Sequence, residues 1–279
     1  MFLDHIVIFG DNQTVMKKIK DESIQLIITS PPYWNKKNYG DHIKQIGYYD
    51  SYIDYIQKLN NVWQECERVL MNDGRLCVNI GDVFTSTKDY GKYKVLPVHA
   101  EIILFCESIG LDYMNTILWQ KIGNATASGG AKGIMGSYLQ PPNGIIQNDI
   151  EYILVFKKYG KKRRKISKEI RERSKLTKDE WITYFSQVWN IPGVRQIGHE
   201  AMFPNEIPRR LIKMFSFIGD TVLDPFLGSG TTSKIAIELE RSSIGIEIND
   251  TYKDLIRNKL NYRKLSRKPT TLVVGMKAY

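Results

Sequence analysis

A glycine-rich turn near the C-terminal end has residue types and spacing that are typical of ligand binding. The apolar pair Val222-Leu223 predicts the end of a strand, and Gly228 and Gly230 follow it before a helical stretch. Glycine lets a backbone come close to a bound molecule. Glu247 ends the next predicted strand, 17 residues beyond Gly230, where a carboxylate accepts from ribose hydroxyls. The pattern therefore predicts a site for a cofactor that contains a nucleoside.

The residues around this turn narrow the choice of cofactor. A phosphate-binding loop needs a lysine directly after Gly230, and Thr231 stands there. A dinucleotide-binding motif needs a third glycine where Ser233 stands. A cofactor without pyrophosphate, such as S-adenosylmethionine, needs neither feature. The acidic Asp224 before the turn suits a ligand that carries an ammonium group.

A second motif, Ser30-Pro31-Pro32-Tyr33, follows a predicted buried strand near the N-terminus. Two prolines end a strand and fix the backbone that follows. The aromatic rings of Tyr33 and Trp34 come directly after them. By itself the motif is compatible with a plain strand end, so its meaning depends on the rest of the chain.

The two motifs together resemble those of the amino-group DNA methyltransferases of restriction–modification systems. That family has a Ser/Asn/Asp-Pro-Pro-aromatic catalytic motif and a Phe-x-Gly-x-Gly cofactor motif, matched here by residues 30–33 and 226–230. The catalytic motif comes first in this chain, an order that resembles the β group of the family. The resemblance extends from about Gly10 to Ile256.

The resemblance implies a mechanism for residues 30–33. The acceptor would be the exocyclic amine of a base flipped out of duplex DNA. Ser30 and the carbonyl of Pro31 would accept from its N–H groups and localise the nitrogen lone pair. Pro32 would help to fix the turn, and Tyr33 would stack on the extruded base. No covalent intermediate is implied.

The resemblance also implies S-adenosyl-L-methionine as the cofactor. Asp11 and Phe226 would contact its adenine, although a helix cap and a core position are the alternatives for these two residues. Phe203 would lie beside its methionine part. The complete predicted cofactor set is Asp11, Thr29, Ser30, Phe203, Asp224, Pro225, Phe226, Gly228, Ser229, Gly230, Thr231, Thr232, Glu247 and Ile248.

Ser30 bears on which base is methylated. Many family members that methylate adenine carry aspartate at this position, and serine is commoner among the cytosine-N4 enzymes. We therefore favour cytosine N4, with adenine N6 as the alternative. An RNA or protein amine methyltransferase and a non-catalytic DNA-binding subunit remain further alternatives.

Positive charge is concentrated in one segment, residues 157–178. It contains twelve Lys or Arg and two Glu, and so accounts for the net charge of +10 of the whole chain. Such a block favours a polyanionic partner, here the phosphates of double-stranded DNA. The predicted DNA-binding residues of this segment are Lys161, Lys162, Arg163, Arg164 and Lys165. Trp34, where the chain departs from the family pattern, is expected to contact the target strand. Trp119 resembles an aromatic residue of the family's base-pocket strand, and a core position is the alternative for it.

Strands alternate with helices along the chain, which predicts an α/β protein with a mostly parallel sheet and helices on both faces. With the resemblance, this is a Rossmann-like methyltransferase fold. Residues 1–156 and 199–265 would form the catalytic and cofactor-binding domain. Residues 157–198 would be an inserted target-recognition region, and 266–279 a basic tail. We also expect a helix over 52–70, a turn at 72–74 and a mobile loop over 84–94.

Composition and cysteine spacing indicate the cellular compartment and whether a metal site is expected. Hydrophobic residues make up 42% of the chain, and we see no membrane span or signal peptide, so we expect a cytoplasmic protein. Cys66, Cys77 and Cys106 lack metal-site spacing, so no metal site is predicted. The resemblance adds a cognate restriction endonuclease as a partner and leaves a homodimer through the 52–70 helix open.

Overall fold

The computed structural model describes residues 3–36, 38, 42–122, 141–143, 146, 148–161, 165–193 and 204–260. The strands are β1 (His5–Phe9), β2 (Ile24–Thr29), β3 (Leu70–Ile80), β4 (Val83–Thr85), β5 (Lys94–Leu96), β6 (Leu111–Ile122), β7 (Ile150–Lys158), β8 (Val188–Pro192), β9 (Thr221–Asp224) and β10 (Ser242–Glu247). The helices are α1 (Asn12–Val15), α2 (Tyr52–Val69), α3 (Thr87–Tyr90), α4 (Val98–Ser108), α5 (Lys168–Arg173), α6 (Lys178–Tyr184), α7 (Glu206–Phe215), α8 (Thr231–Glu238) and α9 (Lys253–Lys259).

Eight strands form one twisted sheet in the order β1-β10-β9-β2-β3-β7-β6-β8. The first five are parallel to one another. β7 runs antiparallel to both β3 and β6, and β8 is parallel to β6. One reversed strand among eight makes the sheet mostly parallel, which confirms the predicted fold class.

The pairing of β2 with β9 is the connection that matters most for the site. Leu26 lies opposite Val222 and Ile27 opposite Leu223. Parallel neighbours end at the same edge of the sheet, and ligands bind at that edge in open α/β sheets. The turns that follow the two strands therefore meet, although they are far apart in the chain.

Helices cover the sheet on both faces because its central strands are apolar on both sides. α2 and α4 pack on one face, with residues such as Leu59, Trp63 and Ile102 in the core. α7 and α8 pack on the other, where Leu211 and Ile235 meet the strands. α2 thus uses its apolar face for the core, which was the alternative to a dimer interface on this helix.

Two local expectations were wrong. The predicted turn at 72–74 lies inside β3, where the register with β2 shifts between the pairs Ile24–Leu70 and Leu26–Arg75. Asp73 has a positive φ of 68° there, so the strand accommodates the turn residues as an irregularity. The predicted loop at 84–94 instead contains α3 and the antiparallel pair β4–β5.

The basic region contributes to the main sheet. β8, within residues 157–198, pairs with β6 along its whole length, and Trp189 on β8 is buried. α5 and α6 lie on the surface before it. The predicted recognition region therefore shares the catalytic sheet through β8. Residues 162–164, 194–198 and the tail 266–279 lie outside the described residues.

No helix among the described residues is both long enough and apolar enough to cross a membrane.

Candidate active site

The two sequence motifs meet in one cleft at the carboxyl edge of the sheet. The Thr29 hydroxyl, at the end of β2, donates to Asp224 Oδ1, at the end of β9, over 2.8 Å and across 195 positions of sequence. Both motifs line the cleft, together with residues from four other segments. The lining residues are Gly10, Asn12, Ser30–Tyr33, Lys44–Ile46, Pro225–Ser229, Thr231, Ile246–Ile248 and Tyr252.

Asp224 lies beneath the cleft and ties its walls together. The carboxylate is 1% exposed and accepts from the hydroxyls of Thr29 and Thr232, at 2.8 and 2.7 Å, and from the Phe226 amide at 3.1 Å. Burial raises the pKa of Asp224 to about 6, and these hydrogen bonds oppose that shift. Its hydrogen bonds join β2, the glycine-rich turn and the first turn of α8.

The glycine-rich turn requires its two glycines. Gly228 and Gly230 have φ values of 54° and 88°, in the left-handed region that side chains disfavour. Gly230 is the N-cap of α8, and the Gly230 amide donates to the Leu227 carbonyl at 3.0 Å. The chain therefore turns sharply from β9 into α8 with its backbone next to the cleft.

Glu247 lines the cleft at the end of β10. Its carboxylate accepts from the amides of Gly228 and Asn249, at 2.7 and 2.8 Å. Because the side chain is only 7% exposed, burial raises the pKa of Glu247 to about 7. The carboxylate thus holds the glycine-rich turn and can also accept from hydroxyl groups in the cleft.

The walls beside Glu247 are apolar and aromatic, as an adenine ring requires. Phe226, Ile246, Ile248 and Tyr252 line this part. Asp11 makes the helix-cap contacts that were the alternative to an adenine contact. Its carboxylate caps α1, accepting from the Gln13 amide and the Thr14 hydroxyl, and its neighbours Gly10 and Asn12 line the cleft instead.

The catalytic motif forms the other wall, and α2 holds it in place. The buried Tyr55 hydroxyl donates to the Pro32 carbonyl at 2.8 Å. Gly81, just beyond β3, leaves room for the Tyr33 ring, because a Cβ at this glycine would lie 3.2 Å from Tyr33 Cε1. Ser30, Pro31, Pro32 and Tyr33 are thus fixed beside the cofactor motif.

The two tryptophans predicted to contact DNA are buried. Trp34 is 5% exposed and donates to the Asp50 carbonyl at 2.9 Å. Trp119, on β6, is 3% exposed and donates to the Ile191 carbonyl of β8 at 2.8 Å. The expectation that these rings lie at a DNA surface is therefore corrected: the structure places both in the core.

The predicted basic residues are only partly described. Lys161 and Lys165 are exposed, whereas Lys162, Arg163 and Arg164 lie outside the described residues. The predicted cofactor residue Phe203 also lies outside them.

Several residues of the site had no signal in the sequence. Asn12 donates to the Pro225 carbonyl at 3.1 Å, and Tyr55 supports the catalytic turn. Gln45 and Ile46 reach the cleft from the segment after the catalytic motif. Lys259, on α9, donates to hydroxyls of the glycine-rich turn. These contacts join distant segments, so no local spacing could have revealed them.

The chemistry of the cleft fits S-adenosyl-L-methionine. Glu247 offers a carboxylate to hydroxyl groups, Phe226 and Ile248 offer apolar surface, and Ser229 and Thr231 offer hydroxyls. Among the described residues there is no group of three or more His, Cys, Asp or Glu placed to hold a metal ion.

A family model described as DNA methylase, of the N6/N4 type, matches residues 24–258 of the chain. The type II methyltransferase M.MjaI of Methanocaldococcus jannaschii is 40% identical over 94% of this chain and 92% of its own length. M.MthZI of Methanothermobacter thermautotrophicus is 36% identical over 91% of this chain and 76% of its own. The chain therefore belongs to the N6/N4 DNA methylase family, of the restriction–modification type.

Solved structures agree with this assignment. A Thermus thermophilus protein assigned as a DNA modification methylase, complexed with S-adenosyl-L-methionine, is 35% identical, with a TM-score of 0.76 over 99% of both chains. The cytosine-N4-specific PvuII DNA methyltransferase is 17% identical, with a TM-score of 0.64 over 93% of this chain and 94% of its own, and shares the fold. The predicted family and the predicted cofactor, S-adenosyl-L-methionine, are confirmed.

Proposed function

We propose that this DNA methyltransferase moves a methyl group from S-adenosyl-L-methionine to the N4 amine of a cytosine flipped out of duplex DNA. The observation that carries the proposal is the Thr29–Asp224 hydrogen bond, because it joins the two motifs at one cleft, which Ser30 also lines. Adenine N6 is the second candidate.

The acceptor amine is a poor nucleophile because its lone pair is conjugated into the base ring. The Ser30 hydroxyl and the Pro31 carbonyl would accept from its two N–H groups and favour a tetrahedral nitrogen. Tyr55 holds the Pro32 carbonyl, so this turn keeps its geometry while the base is bound. Bound S-adenosyl-L-methionine supplies an electrophilic methyl group.

The choice of cytosine rests on Ser30. A serine hydroxyl is a weaker acceptor than the aspartate found in many adenine-methylating members of the family. The Tyr33 ring would stack on the flipped base, which offsets part of the few kcal/mol that unstacking costs. Gly81 gives this ring its room, with a Cβ there only 3.2 Å from Tyr33 Cε1.

The basic segment would supply the contacts with DNA. Lys161 and Lys165 are exposed on either side of the undescribed residues 162–164, and all five residues carry positive charge. Contacts of this kind go to phosphates, give much of the affinity, and do not read sequence.

The base is tested by incubating the protein with S-adenosyl-L-methionine and unmethylated mixed-sequence DNA, followed by digestion to nucleosides and mass spectrometry. We expect N4-methylcytosine, and its loss in Ser30→Ala and Tyr33→Ala variants. N6-methyladenine would move the assignment to the second candidate. Neither product, with the cofactor still bound, would point to an RNA or protein acceptor or to a silent subunit.

The type II relatives also suggest a partner. A cognate restriction endonuclease would cut the sequence that this protein protects. A plasmid from cells that express the protein should resist that nuclease, and a plasmid from cells with the Ser30→Ala variant should be cut. Equal cutting of both plasmids would contradict the partnership.

A further inference from the structure

Lys259, in the last turn of α9, approaches the cofactor cleft from behind the glycine-rich turn. Its Nζ donates to Ser229 Oγ at 2.6 Å and to Thr231 Oγ1 at 2.9 Å. Both of these residues line the cleft, whereas Lys259 does not. An ammonium group therefore stands directly behind two hydroxyls of the site.

The charges around this turn favour an anion in front of it. Burial, and to a lesser extent the nearby Lys234 ammonium, lower the pKa of Lys259 to about 8, so the Lys259 side chain is still mostly protonated at pH 7. Two positive charges therefore lie close to the turn. α8 begins at Thr231 without a side-chain cap, because its N-cap residue is Gly230. The positive end of this helix adds to the same potential.

The hydrogen bonds also fix the direction of the hydroxyl groups. A hydroxyl that accepts from an ammonium keeps its own proton to donate elsewhere. Ser229 Oγ and Thr231 Oγ1 are 3.4 Å apart, which allows a long hydrogen bond between them. A carboxylate in front of them is a better acceptor than either hydroxyl and can accept from both. The methionine carboxylate is the anionic group of S-adenosyl-L-methionine. The ammonium and sulfonium groups of the cofactor would be repelled from the Ser229 and Thr231 hydroxyls, which we call the carboxylate corner.

We propose that Lys259 is a positioning residue for the cofactor, which fixes Ser229 and Thr231 as hydrogen-bond donors to the methionine carboxylate. The inference rests on the cofactor's binding in this cleft, as the proposed function requires, and is independent of which base is methylated.

The test compares S-adenosyl-L-methionine with its decarboxylated analogue, which keeps the adenosine, sulfonium and ammonium groups. Dissociation constants are measured by calorimetry for the wild type and for Lys259→Met. We expect the variant to lose affinity for S-adenosyl-L-methionine by about tenfold, since a charge-assisted network is removed. Its affinity for the decarboxylated analogue should stay within about twofold.

Two comparisons separate this role from a structural one. Lys253→Met removes the same charge from the first turn of α9 and should leave both dissociation constants unchanged. Lys259→Arg keeps the charge and should recover part of the selectivity. An equal loss of affinity for both ligands in Lys259→Met, or no loss for either, would overturn the proposal.

Thr231→Val provides a second route if Lys259→Met does not fold. It removes one of the two hydroxyls with little change in volume, and the same selective loss is expected. A wild type that binds neither ligand would refute the cofactor site itself. A wild type that binds both ligands equally would refute only the role of the carboxylate corner.

Discussion

At the scale of single residues, two buried carboxylates hold different parts of the cleft through their hydrogen bonds. Asp224 uses its oxygens to bind Thr29, Thr232 and the turn, below the surface. Glu247 binds the backbone of the turn and also lines the cleft. Both were predicted to contact the cofactor from their positions around the glycines; Glu247 lines the cleft, whereas Asp224 lies beneath it and holds its walls.

The raised pKa of Glu247 predicts a pH-dependent stability. The folded pKa of about 7 lies above the ordinary value of 4.5, so the stabilising contribution is complete below pH 4.5 and is lost as pH rises through 7. Glu247→Gln cannot lose a proton. The free energy of unfolding of the wild type should therefore fall relative to that of Glu247→Gln between pH 5 and pH 8, by on the order of 2 kcal/mol.

This difference is measured by chemical denaturation of the cofactor-free proteins at both pH values. Asp224 titrates in the same range but is present in both proteins, so its effect largely cancels. A stability difference that is constant from pH 5 to pH 8 would show that burial does not perturb the carboxyl group.

Gly81 illustrates what the sequence could not show at this scale. Its importance depends on the Tyr33 ring packed against it, 48 residues away in the chain. Gly81→Ala would place a methyl group 3.2 Å from that ring and push it out of line. We expect methyl transfer to fall roughly tenfold, with the cofactor dissociation constant unchanged.

Gly193→Ala is the matched control, because a Cβ at Gly193 would meet no atom of the described residues within 4 Å. Single-turnover rates of methyl transfer are measured for Gly81→Ala and Gly193→Ala. Equal rates in both would mean that the position of the Tyr33 ring is not under such tight control.

At the scale of elements, helix α2 supports the catalytic turn. The Tyr55 hydroxyl binds the Pro32 carbonyl, so the position of α2 on the sheet also sets the position of the turn. The helical spacing of apolar residues predicted α2 itself. The hydrogen bond was not predicted, because it depends on the exact rotation of the helix against the strand.

Tyr55→Phe should destabilise the protein by about 1 kcal/mol, since it leaves the Pro32 carbonyl without its donor. Transfer should fall more than cofactor affinity does, because the catalytic turn loosens. Tyr52→Phe is the control on the same helix. The Tyr52 hydroxyl is buried without a hydrogen-bond partner among the described residues, so removing it should be neutral or stabilising.

The free energy of unfolding in denaturant and the rate of methyl transfer are measured for both variants. Similar stabilities and similar transfer rates for Tyr55→Phe and Tyr52→Phe would contradict the role given to α2.

At the scale of the whole molecule, the order of the sheet brings distant segments together, since β1 pairs with β10 and β2 with β9. Local patterns predicted the strands and helices, and the family resemblance predicted that the two motifs share a site. The patterns did not predict that β8 closes the far edge of the sheet and buries Trp119. That outcome depends on pairing between distant strands, which no single stretch of sequence encodes.

The charge distribution predicts the salt dependence of DNA binding. Neutralising Lys161, Lys162, Arg163, Arg164 and Lys165 should weaken binding and flatten the plot of log affinity against log salt concentration. The slope should change by about 0.9 for each phosphate that the variant no longer neutralises. Cofactor affinity should stay the same.

Neutralising Lys17, Lys18 and Lys20, in the connection between β1 and β2, provides the comparison. This variant should keep the wild-type slope in a fluorescence titration with duplex DNA. An unchanged slope in the five-residue variant would remove the basic segment from the DNA interface.

Methyl transfer is assigned to the motif of residues 30–33, and cofactor binding to the glycine-rich motif. The Ser30→Ala variant tests this assignment most directly. Its dissociation constant for S-adenosyl-L-methionine and its single-turnover rate of methyl transfer to DNA are compared with those of the wild type. Transfer should fall by roughly a hundredfold or more, because one acceptor for the amine is removed. The dissociation constant should rise by no more than about fivefold, because the other residues of the cofactor set remain. Transfer at the wild-type rate would contradict the assignment of Ser30 to the reaction.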